Sequence, residues 1–344
     1  MKHTNIIAAL VLGAAAIAST TACNGSQCKV NGTVSGFDEL SDAIILVREG
    51  REVIDTLAVE DGAFSYTCAI DPAKAYILML KGKEDKSVAG YARFISDSKA
   101  VNINLAEESE VTGSPLTDLM AKVMEDAEAA YGEEENEAAY YEVLKNAYKE
   151  NATNAVGIDL FSNLAYDLPL AEFDEFLAMG CDAIKNNEQY TKMRVSKVAE
   201  AQTGPGSKFV DFSGKTPEGK DVSLSDFVGK GKYTLVDFWA SWCGPCMRSM
   251  PGMKNLWDTY HAKGLDIVGV AVWDGDNSKS VERIAEKGMS WPQIFVGEDK
   301  TPTDVYGILG IPHVILFDPE GNVVERGIPN EEELFTKIGE LLAK

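Results

Sequence analysis

The sequence predicts an α/β domain over residues 204–344, preceded by an antiparallel β-sandwich over 23–110 and a helical segment over 111–203. Three patterns lead to this prediction. Short alternating runs separated by turn residues fill the first segment, apolar residues recur at helical spacing in the second, and apolar strands alternate with helices in the third. The length of 344 residues suits two or three domains, and 45% hydrophobic with 25% charged residues is typical of globular proteins.

The chain is strongly acidic, with 54 Asp and Glu residues against 32 Lys and Arg and a net charge of −22. Such a charge repels the phosphate backbone of DNA and RNA, so we expect no nucleic-acid partner. Most of the acidic excess lies before residue 205, where a solubilising surface is the simplest interpretation.

Residues 1–22 have the three parts of a secretory signal. Lys2 and His3 provide a basic start, 6–18 is an uncharged apolar stretch, and small residues follow up to Ala22. The apolar stretch is shorter than the ~20 residues of a comfortable membrane span, which favours cleavage over an uncleaved anchor. The segment therefore predicts export from the cytoplasm.

A small residue directly before Cys23 resembles the lipobox of bacterial lipoproteins, although Thr20 stands where that family usually has leucine. The resemblance implies that Cys23 is acylated and attaches the chain to a membrane. The remaining cysteines are odd in number and face an oxidising compartment. Cys28 and Cys68 lie in strand-like runs and could form a structural disulfide, whereas Cys181 is expected to be a small buried residue.

Strand signals continue from residue 29 to residue 105, with Asp61-Gly62 marking a tight turn. Frequent turns between short strands predict the antiparallel β-sandwich. The order of strand, turn and strand around 59–66 resembles a small β domain of unknown function found in lipoproteins of Gram-negative bacteria. The predicted strands are 29–35, 43–47, 53–59, 63–67, 75–80 and 100–105.

Helical spacing begins at Pro115. Leu116, Leu119 and Val123 recur three to four residues apart, and Pro169 interrupts the pattern before a second apolar run. We expect three to four helices here, followed by a linker at the Gly and Pro residues of 203–207. Beyond it, we predict strands at 233–238, 265–273, 313–317 and 323–326, and helices at 247–261, 280–287 and 331–342.

Cys243 and Cys246 are separated by Gly244 and Pro245, a spacing that serves either a zinc site or a redox pair. A zinc site needs two further ligands. The chain has only three histidines and no second Cys-x-x-Cys, so we expect no metal and no cofactor. The pair follows a predicted strand and precedes a helix, and a helix N-terminus stabilises a thiolate at Cys243.

The run Asp-Phe-Trp-Ala-Ser-Trp-Cys-Gly-Pro-Cys from Asp237 to Cys246, with Pro251 five residues later, resembles thioredoxin. Residues 205–344 as a whole are similar to exported thioredoxin-like reductases related to TlpA and ResA. The resemblance implies a thioredoxin fold and a redox-active disulfide between Cys243 and Cys246. It also implies action on disulfides in the bacterial envelope, including those of cytochrome c maturation.

The same resemblance implies a role for each residue of the site. Cys243 would attack a substrate disulfide, Cys246 would resolve the mixed disulfide, and Asp237 would exchange a proton with Cys246. Substrate would contact the surface around the disulfide and a loop that carries a cis-proline. These contact residues are Trp242, Gly244, Pro245, Ile311 and Pro312.

Three positions depart from the family pattern. His313 follows the expected cis-proline where threonine is usual, and a satisfied strand histidine is its expected role. Ser249 stands where many exported members have glutamate. Residues 267–273 lack the lysine that lies near the buried acid in thioredoxin. These departures bear on the substrate class and on the route of the proton.

The resulting prediction is a membrane-attached thiol:disulfide oxidoreductase of the cell envelope that reduces disulfides of exported proteins. A membrane thiol carrier would supply its electrons. Two alternatives stay open. One is a disulfide oxidase or isomerase on the same fold, and the other is a partner-binding lipoprotein whose dithiol only senses the redox state.

Overall fold

The computed structural model describes residues 26–37, 42–82, 88–327 and 330–343. The predicted signal segment 1–22 and the predicted lipidation site Cys23 lie outside these ranges. In the described part of the chain, no helix has the length and apolar character needed to cross a membrane. The chain divides into two compact units between Asn187 and Glu188.

The first unit begins with two four-stranded sheets. Their strands, in chain order, are β1 Gln27–Val34, β2 Ala43–Glu49, β3 Glu52–Ala58, β4 Ala63–Ala69, β5 Asp71–Gly82, β6 Gly90–Ser96, β7 Ala100–Leu105 and β8 Glu110–Thr112. One sheet has the order β4-β1-β7-β8 and the other the order β3-β2-β5-β6. Neighbouring strands are antiparallel except β1 and β7, which run parallel.

Alternation along the strands places one face of each sheet in a shared core. In β1, Cys28 and Val30 are fully buried, whereas the residues on either side of them are exposed. Leu78 of β5 and Phe94 of β6 enter the same core from the other sheet. Two sheets packed face to face form the predicted β-sandwich. The parallel pairing of β1 with β7 joins residues far apart in the chain, which local patterns do not reveal.

Five helices follow in the described part of this unit: α1 Pro115–Tyr131, α2 Glu137–Asn151, α3 Ala155–Leu164, α4 Leu170–Met179 and α5 Asp182–Lys185. Polar side chains define where they begin. The Ser114 hydroxyl accepts a hydrogen bond from the backbone N–H of Thr117, and the Asn154 side chain accepts from those of Val156 and Gly157. Short interruptions of this kind give the segment more helices than the three to four expected.

The second unit is built around one sheet. Its elements are α6 Glu188–Gln202, β9 Ser213–Lys215, β10 Asp221–Ser223, β11 Tyr233–Trp239, α7 Gly244–Tyr260, β12 Leu265–Val272, α8 Asn277–Lys287, β13 Gln293–Gly297, α9 Thr301–Val305, β14 His313–Phe317, β15 Val323–Gly327 and α10 Glu331–Leu342. The strand order is β10-β9-β13-β12-β11-β14-β15. Strand β11 is buried on both faces, parallel to β12 and antiparallel to β14. This central strand leads directly into the cysteine pair.

Helix α6 belongs to the second unit, although the sequence prediction places it in the preceding helical segment. The guanidinium of Arg326, on β15, donates to the Thr203 hydroxyl at 2.7 Å. Gly307 approaches α6 so closely that a Cβ there would stand 2.1 Å from the carbonyl oxygen of Ser196. The division between the units therefore lies ahead of the Gly and Pro residues at 203–207.

Candidate active site

Cys243 and Cys246 are joined by a disulfide at the amino end of α7, with their Cα atoms 5.3 Å apart. Cys243 is the N-cap residue, and its sulfur accepts a hydrogen bond from the backbone N–H of Cys246 at 3.1 Å. In the reduced protein, this N–H and the helix dipole favour negative charge on the Cys243 sulfur. The succession of strand, turn and helix thus favours the thiolate form of Cys243.

The two cysteines differ in their access to solvent. Cys243 is 3% exposed, whereas Cys246 is completely buried. Around Cys243, Gly244 and Pro245 are exposed, and Trp242 is 62% exposed. An incoming disulfide would therefore reach Cys243 first, on a surface to which these three predicted contact residues contribute.

The loop before β14 approaches the disulfide from a second side. Its Ile311–Pro312 peptide bond is cis, and both residues are half-buried. The carbonyl oxygen of Ile311 lies 3.8 Å from the Cys243 sulfur. A polypeptide segment bound at Cys243 would therefore meet backbone polar groups of this loop, as in recognition by strand addition.

Asp237 lies in the middle of β11 and is 2% exposed. Because side chains alternate along a strand, it shares a face with Leu235 and Trp239, which belong to the same apolar cluster as both cysteines. Its Oδ2 atom has no hydrogen-bond partner among the described residues. Burial raises the pKa of the Asp237 carboxyl to about 7, which poises this acid to exchange protons near neutral pH.

A neutral amide, rather than a lysine, occupies the sheet next to this acid. The residue opposite Asp237 on β12 is Gly269, and a Cβ at Gly269 would stand 2.2 Å from Oε1 of Gln293 on β13. The same Oε1 accepts a hydrogen bond from the Trp239 indole at 3.1 Å. Sequence reasoning missed Gln293. The available signal was Gly269, because a glycine within a buried strand often marks a point where another group approaches the backbone closely.

His313 lies on the other face of the sheet from Asp237. It is paired with Phe238 across the β11–β14 ladder, one position out of phase with Asp237. Arg326 donates a hydrogen bond to its Nε2 atom at 3.2 Å. Burial, followed by the nearby Arg326 charge, lowers the pKa of His313 to about 4, so the imidazole is neutral at physiological pH. This is the satisfied strand histidine that the sequence favours.

A buried carboxylate that sequence reasoning missed anchors the loop before Cys243. Asp274, just after β12, accepts hydrogen bonds from the Ser241 N–H at 2.8 Å, the Ser241 hydroxyl at 2.9 Å and the Ser280 hydroxyl at 2.7 Å. The neighbouring carbonyl of Trp273 accepts a hydrogen bond from the Trp242 indole at 3.3 Å. The end of β12 therefore fixes both residues that precede Cys243.

Replacing Asp274 by alanine is expected to destabilise the protein by about 2–4 kcal/mol, because three donors in a buried site lose their acceptor. Urea unfolding of a chain beginning at residue 24, which keeps every described residue, measures the loss. Asp258→Ala is the matched control. It removes an exposed ion pair with Lys254 on α7 and should cost less than about 0.5 kcal/mol. Equal losses in the two variants would contradict the anchoring role.

Two parts of the chain match known protein families. Residues 205–326 match the AhpC/TSA family, and residues 28–120 match a domain of unknown function, DUF4369. The first match contains the disulfide, the buried acid and the cis-proline loop. The second covers the β-sandwich and the start of α1.

Among curated proteins, the chain is 35% identical over 135 residues to thiol-disulfide oxidoreductase ResA of Geobacillus kaustophilus, covering 39% of this chain and 73% of the relative. It is 30% identical over 137 residues to ResA of Bacillus subtilis, covering 40% and 74%. A further ResA, from Geobacillus thermodenitrificans, is matched over 66% of its length at 35% identity. The chain thus spans two thirds to three quarters of these relatives.

Two solved structures from Bacteroides resemble the same part of the chain. One is the thioredoxin domain of a thiol-disulfide oxidoreductase from Bacteroides vulgatus, with 31% identity and a TM-score of 0.37, covering 40% of this chain and 97% of that one. The other is a thiol:disulfide interchange protein from Bacteroides sp., with 30% identity and a TM-score of 0.38, covering 42% and 93%.

The family match and the ResA relatives confirm the predicted thioredoxin fold and oxidoreductase activity. The dithiol chemistry read from the sequence and the geometry around Cys243 agree with the activity for which the ResA relatives are named. An identity of 30–35% over about three quarters of a relative establishes common descent. The chain therefore belongs to the ResA-like thiol-disulfide oxidoreductases.

Proposed function

We propose that this enzyme reduces disulfide bonds in exported proteins and is held at the cell envelope by a lipid on Cys23. One observation carries the proposal. The outer sulfur of the pair, on Cys243, lies at a helix N-terminus beside the Ile311 carbonyl, while its partner Cys246 is buried. This arrangement offers one sulfur to substrate and reserves the other for the second step.

The reduced enzyme transfers two electrons to a substrate disulfide in two exchange steps. The Cys243 thiolate attacks one substrate sulfur, which forms a mixed disulfide and releases the other substrate sulfur as a thiolate. Cys246 then loses its proton and attacks the Cys243 sulfur. This step releases the second substrate thiolate and restores the Cys243–Cys246 disulfide. Asp237, whose pKa is raised to about 7, is suited to accept the proton from Cys246.

Substrate recognition in this proposal depends on backbone and on exposed aromatic surface. A segment bound along the Ile311–Pro312 loop would place its disulfide against Cys243. Trp242, Gly244 and Pro245 would cover its other side. These contact residues offer backbone, apolar and aromatic groups, so the substrate class is an accessible disulfide in an extended exported segment rather than one fixed sequence.

The haem-binding cysteine pairs of c-type cytochromes are one member of this class, as the resemblance to ResA and TlpA implies. Ser249 bears on that assignment. It stands where many exported members have glutamate, and its hydroxyl donates to the carbonyl of Cys246 at 2.9 Å. The carboxylate of those members is therefore replaced here by a neutral, locally satisfied group, which favours a broader range of substrates.

Each turnover leaves the enzyme oxidised, so continued reduction requires a source of electron pairs. Exported compartments are oxidising, and a thiol carrier in the membrane would be such a source. The Gly244-Pro245 dipeptide between the cysteines is that of thioredoxin, a reductant with a potential of about −270 mV.

We expect the reduction potential of the Cys243/Cys246 pair to lie near or below about −230 mV, in the range of glutaredoxins and thioredoxin. The measurement equilibrates the chain beginning at residue 24 in dithiothreitol or glutathione buffers and follows Trp fluorescence. Trp239 and Trp242 lie beside the pair and should report its state. A value near about −120 mV, like that of a strong oxidant, would contradict the reductase direction and favour the disulfide oxidase or isomerase.

A further inference from the structure

The first unit contains a second pair of cysteines. Cys28 on β1 and Cys68 on β4 stand directly opposite each other in the antiparallel ladder. Both are free thiols in the structure. Both side chains point to the inner face of the sandwich, where Cys28 is fully buried and Cys68 packs against the same core.

The backbone hydrogen bonds around this pair define its spacing. The Ile70 N–H donates to the Ser26 carbonyl at 3.1 Å, and the Val34 N–H donates to the Gly62 carbonyl at 2.8 Å. Both bonds join residue pairs an even number of positions from Cys28, so Cys28 and Cys68 form a hydrogen-bonded pair of the ladder. Such pairs have Cα atoms about 5.5 Å apart, which is the commonest Cα separation of disulfides.

The two thiols face the same core from adjacent strands. Because residues directly opposite each other in a ladder point to the same side of the sheet, both sulfurs lie on the inner face of the sandwich. The pair therefore meets the conditions for a disulfide in both strand register and side-chain direction.

We infer that Cys28 and Cys68 form a cross-strand disulfide that links β1 to β4 inside the β-sandwich. A low-molecular-weight disulfide such as oxidised glutathione serves as the oxidant. One protein thiolate attacks it and releases one glutathione thiol. The second protein sulfur then displaces the other, so the protein pair loses two electrons and two protons and two glutathione thiols form.

The bond differs in character from the one at the active site. Burial raises the pKa of Cys28, and it raises the pKa of Cys68 to about 12. Since the thiolate is the reactive form, the folded pair exchanges slowly, and the bond forms while the domain folds. It then closes a loop of about 40 residues and ties down the first described strand, which makes its role structural.

The test uses residues 24–344 with Cys181, Cys243 and Cys246 replaced by serine, so that Cys28 and Cys68 are the only cysteines. The chain is refolded from denaturant in glutathione buffer, so that burial cannot limit access. Acid quenching, alkylation and peptide mass spectrometry then locate disulfides. A matched chain that also carries Cys68→Ser is the control, and it can form no bridge within one chain.

The expected result is a peptide linkage between residues 28 and 68 in the monomer, with no alkylation of either cysteine. We also expect a thermal midpoint about 10 °C above that of the same chain after reduction. The control should show no difference on reduction. Two alkylated cysteines in a refolded chain with native circular dichroism would overturn the inference, as would linkage found only between chains.

Discussion

Replacing Cys243 by serine is expected to lower the rate of disulfide exchange by about 10³-fold or more, which corresponds to at least about 4 kcal/mol of activation free energy. A serine hydroxyl is not ionised at neutral pH and cannot form a mixed disulfide. The loss should be chemical rather than structural, because serine is a favourable N-cap residue and can accept the Cys246 N–H that Cys243 accepts. Reduction of insulin by dithiothreitol, with and without the enzyme, measures the rate.

Cys246→Ser should behave differently from Cys243→Ser. It keeps the nucleophile but removes the resolving sulfur, so substrates should accumulate as mixed disulfides on Cys243. Non-reducing electrophoresis of enzyme incubated with an oxidised model protein detects the adduct, and dithiothreitol should release it. Cys181→Ser is the control, since Cys181 lies in the first unit, and it should change neither rate nor adduct.

The same two variants separate the reductase from the partner-binding alternative. If the dithiol only senses the redox state, Cys243→Ser should leave partner binding intact and Cys246→Ser should trap no substrate. Full turnover by Cys246→Ser would contradict the two-step scheme, because Cys243 alone would then suffice. Adducts formed at residue 181 instead of residue 243 would contradict the assignment of the nucleophile.

Local patterns were sufficient to predict the strand and the helix that flank the cysteine pair. The apolar run at 233–238 predicts β11, and the Cys-Gly-Pro-Cys motif that follows it predicts the start of a helix. Both signals come from neighbouring residues, so the position of the Cys243 sulfur at the helix N-terminus can be predicted without long-range contacts. The predicted helix at 247–261 begins three residues late. Cys243 is an unusual N-cap residue, and Gly244 and Pro245 do not look like helix interior.

The contacts that support the site could not be predicted in the same way. Asp274 and Ser241 meet only because β12 lies beside β11, and no spacing in the sequence states that register. Gln293 fills the space over Gly269 because β13 lies beside β12, and this pairing is likewise not stated by any spacing in the sequence. Very short strands such as β9 were missed as well, since three residues provide too little alternation to recognise.

Asp237→Asn is expected to stabilise the protein above neutral pH while slowing catalysis. In the folded protein the carboxyl keeps its proton up to about pH 7, whereas its ordinary pKa is 3.8. Between these values the folded state binds a proton that the unfolded state does not, so raising the pH through this window lowers the free energy of unfolding. The full cost above pH 7 is about 4 kcal/mol.

Asparagine has nearly the same shape and cannot ionise, so the variant should escape this cost. Urea unfolding at pH 4.5 and pH 8.5 should show a wild-type free energy that falls by several kcal/mol relative to the variant, as expected for a shift of this size. Asp258→Asn, on the exposed face of α7, should follow the wild type at both pH values. If Asp237→Asn also follows the wild type, the carboxyl is not the buried titrating group.

Catalysis by Asp237→Asn should change in the opposite direction. Without an acceptor for the Cys246 proton, resolution of the mixed disulfide should slow by about 10²-fold at pH 7, the lower end of the usual contribution from general acid–base catalysis. Formation of the mixed disulfide at Cys243 should be little affected, because that sulfur is activated by the helix N-terminus. Rapid mixing with an oxidised model protein, followed by acid quenching, separates the two steps.

A variant that is more stable at pH 8.5 and slower only in resolution would show that the unpaired buried acid is retained for proton transfer at a cost in stability. Equal slowing of both steps would instead indicate a general disturbance of the site.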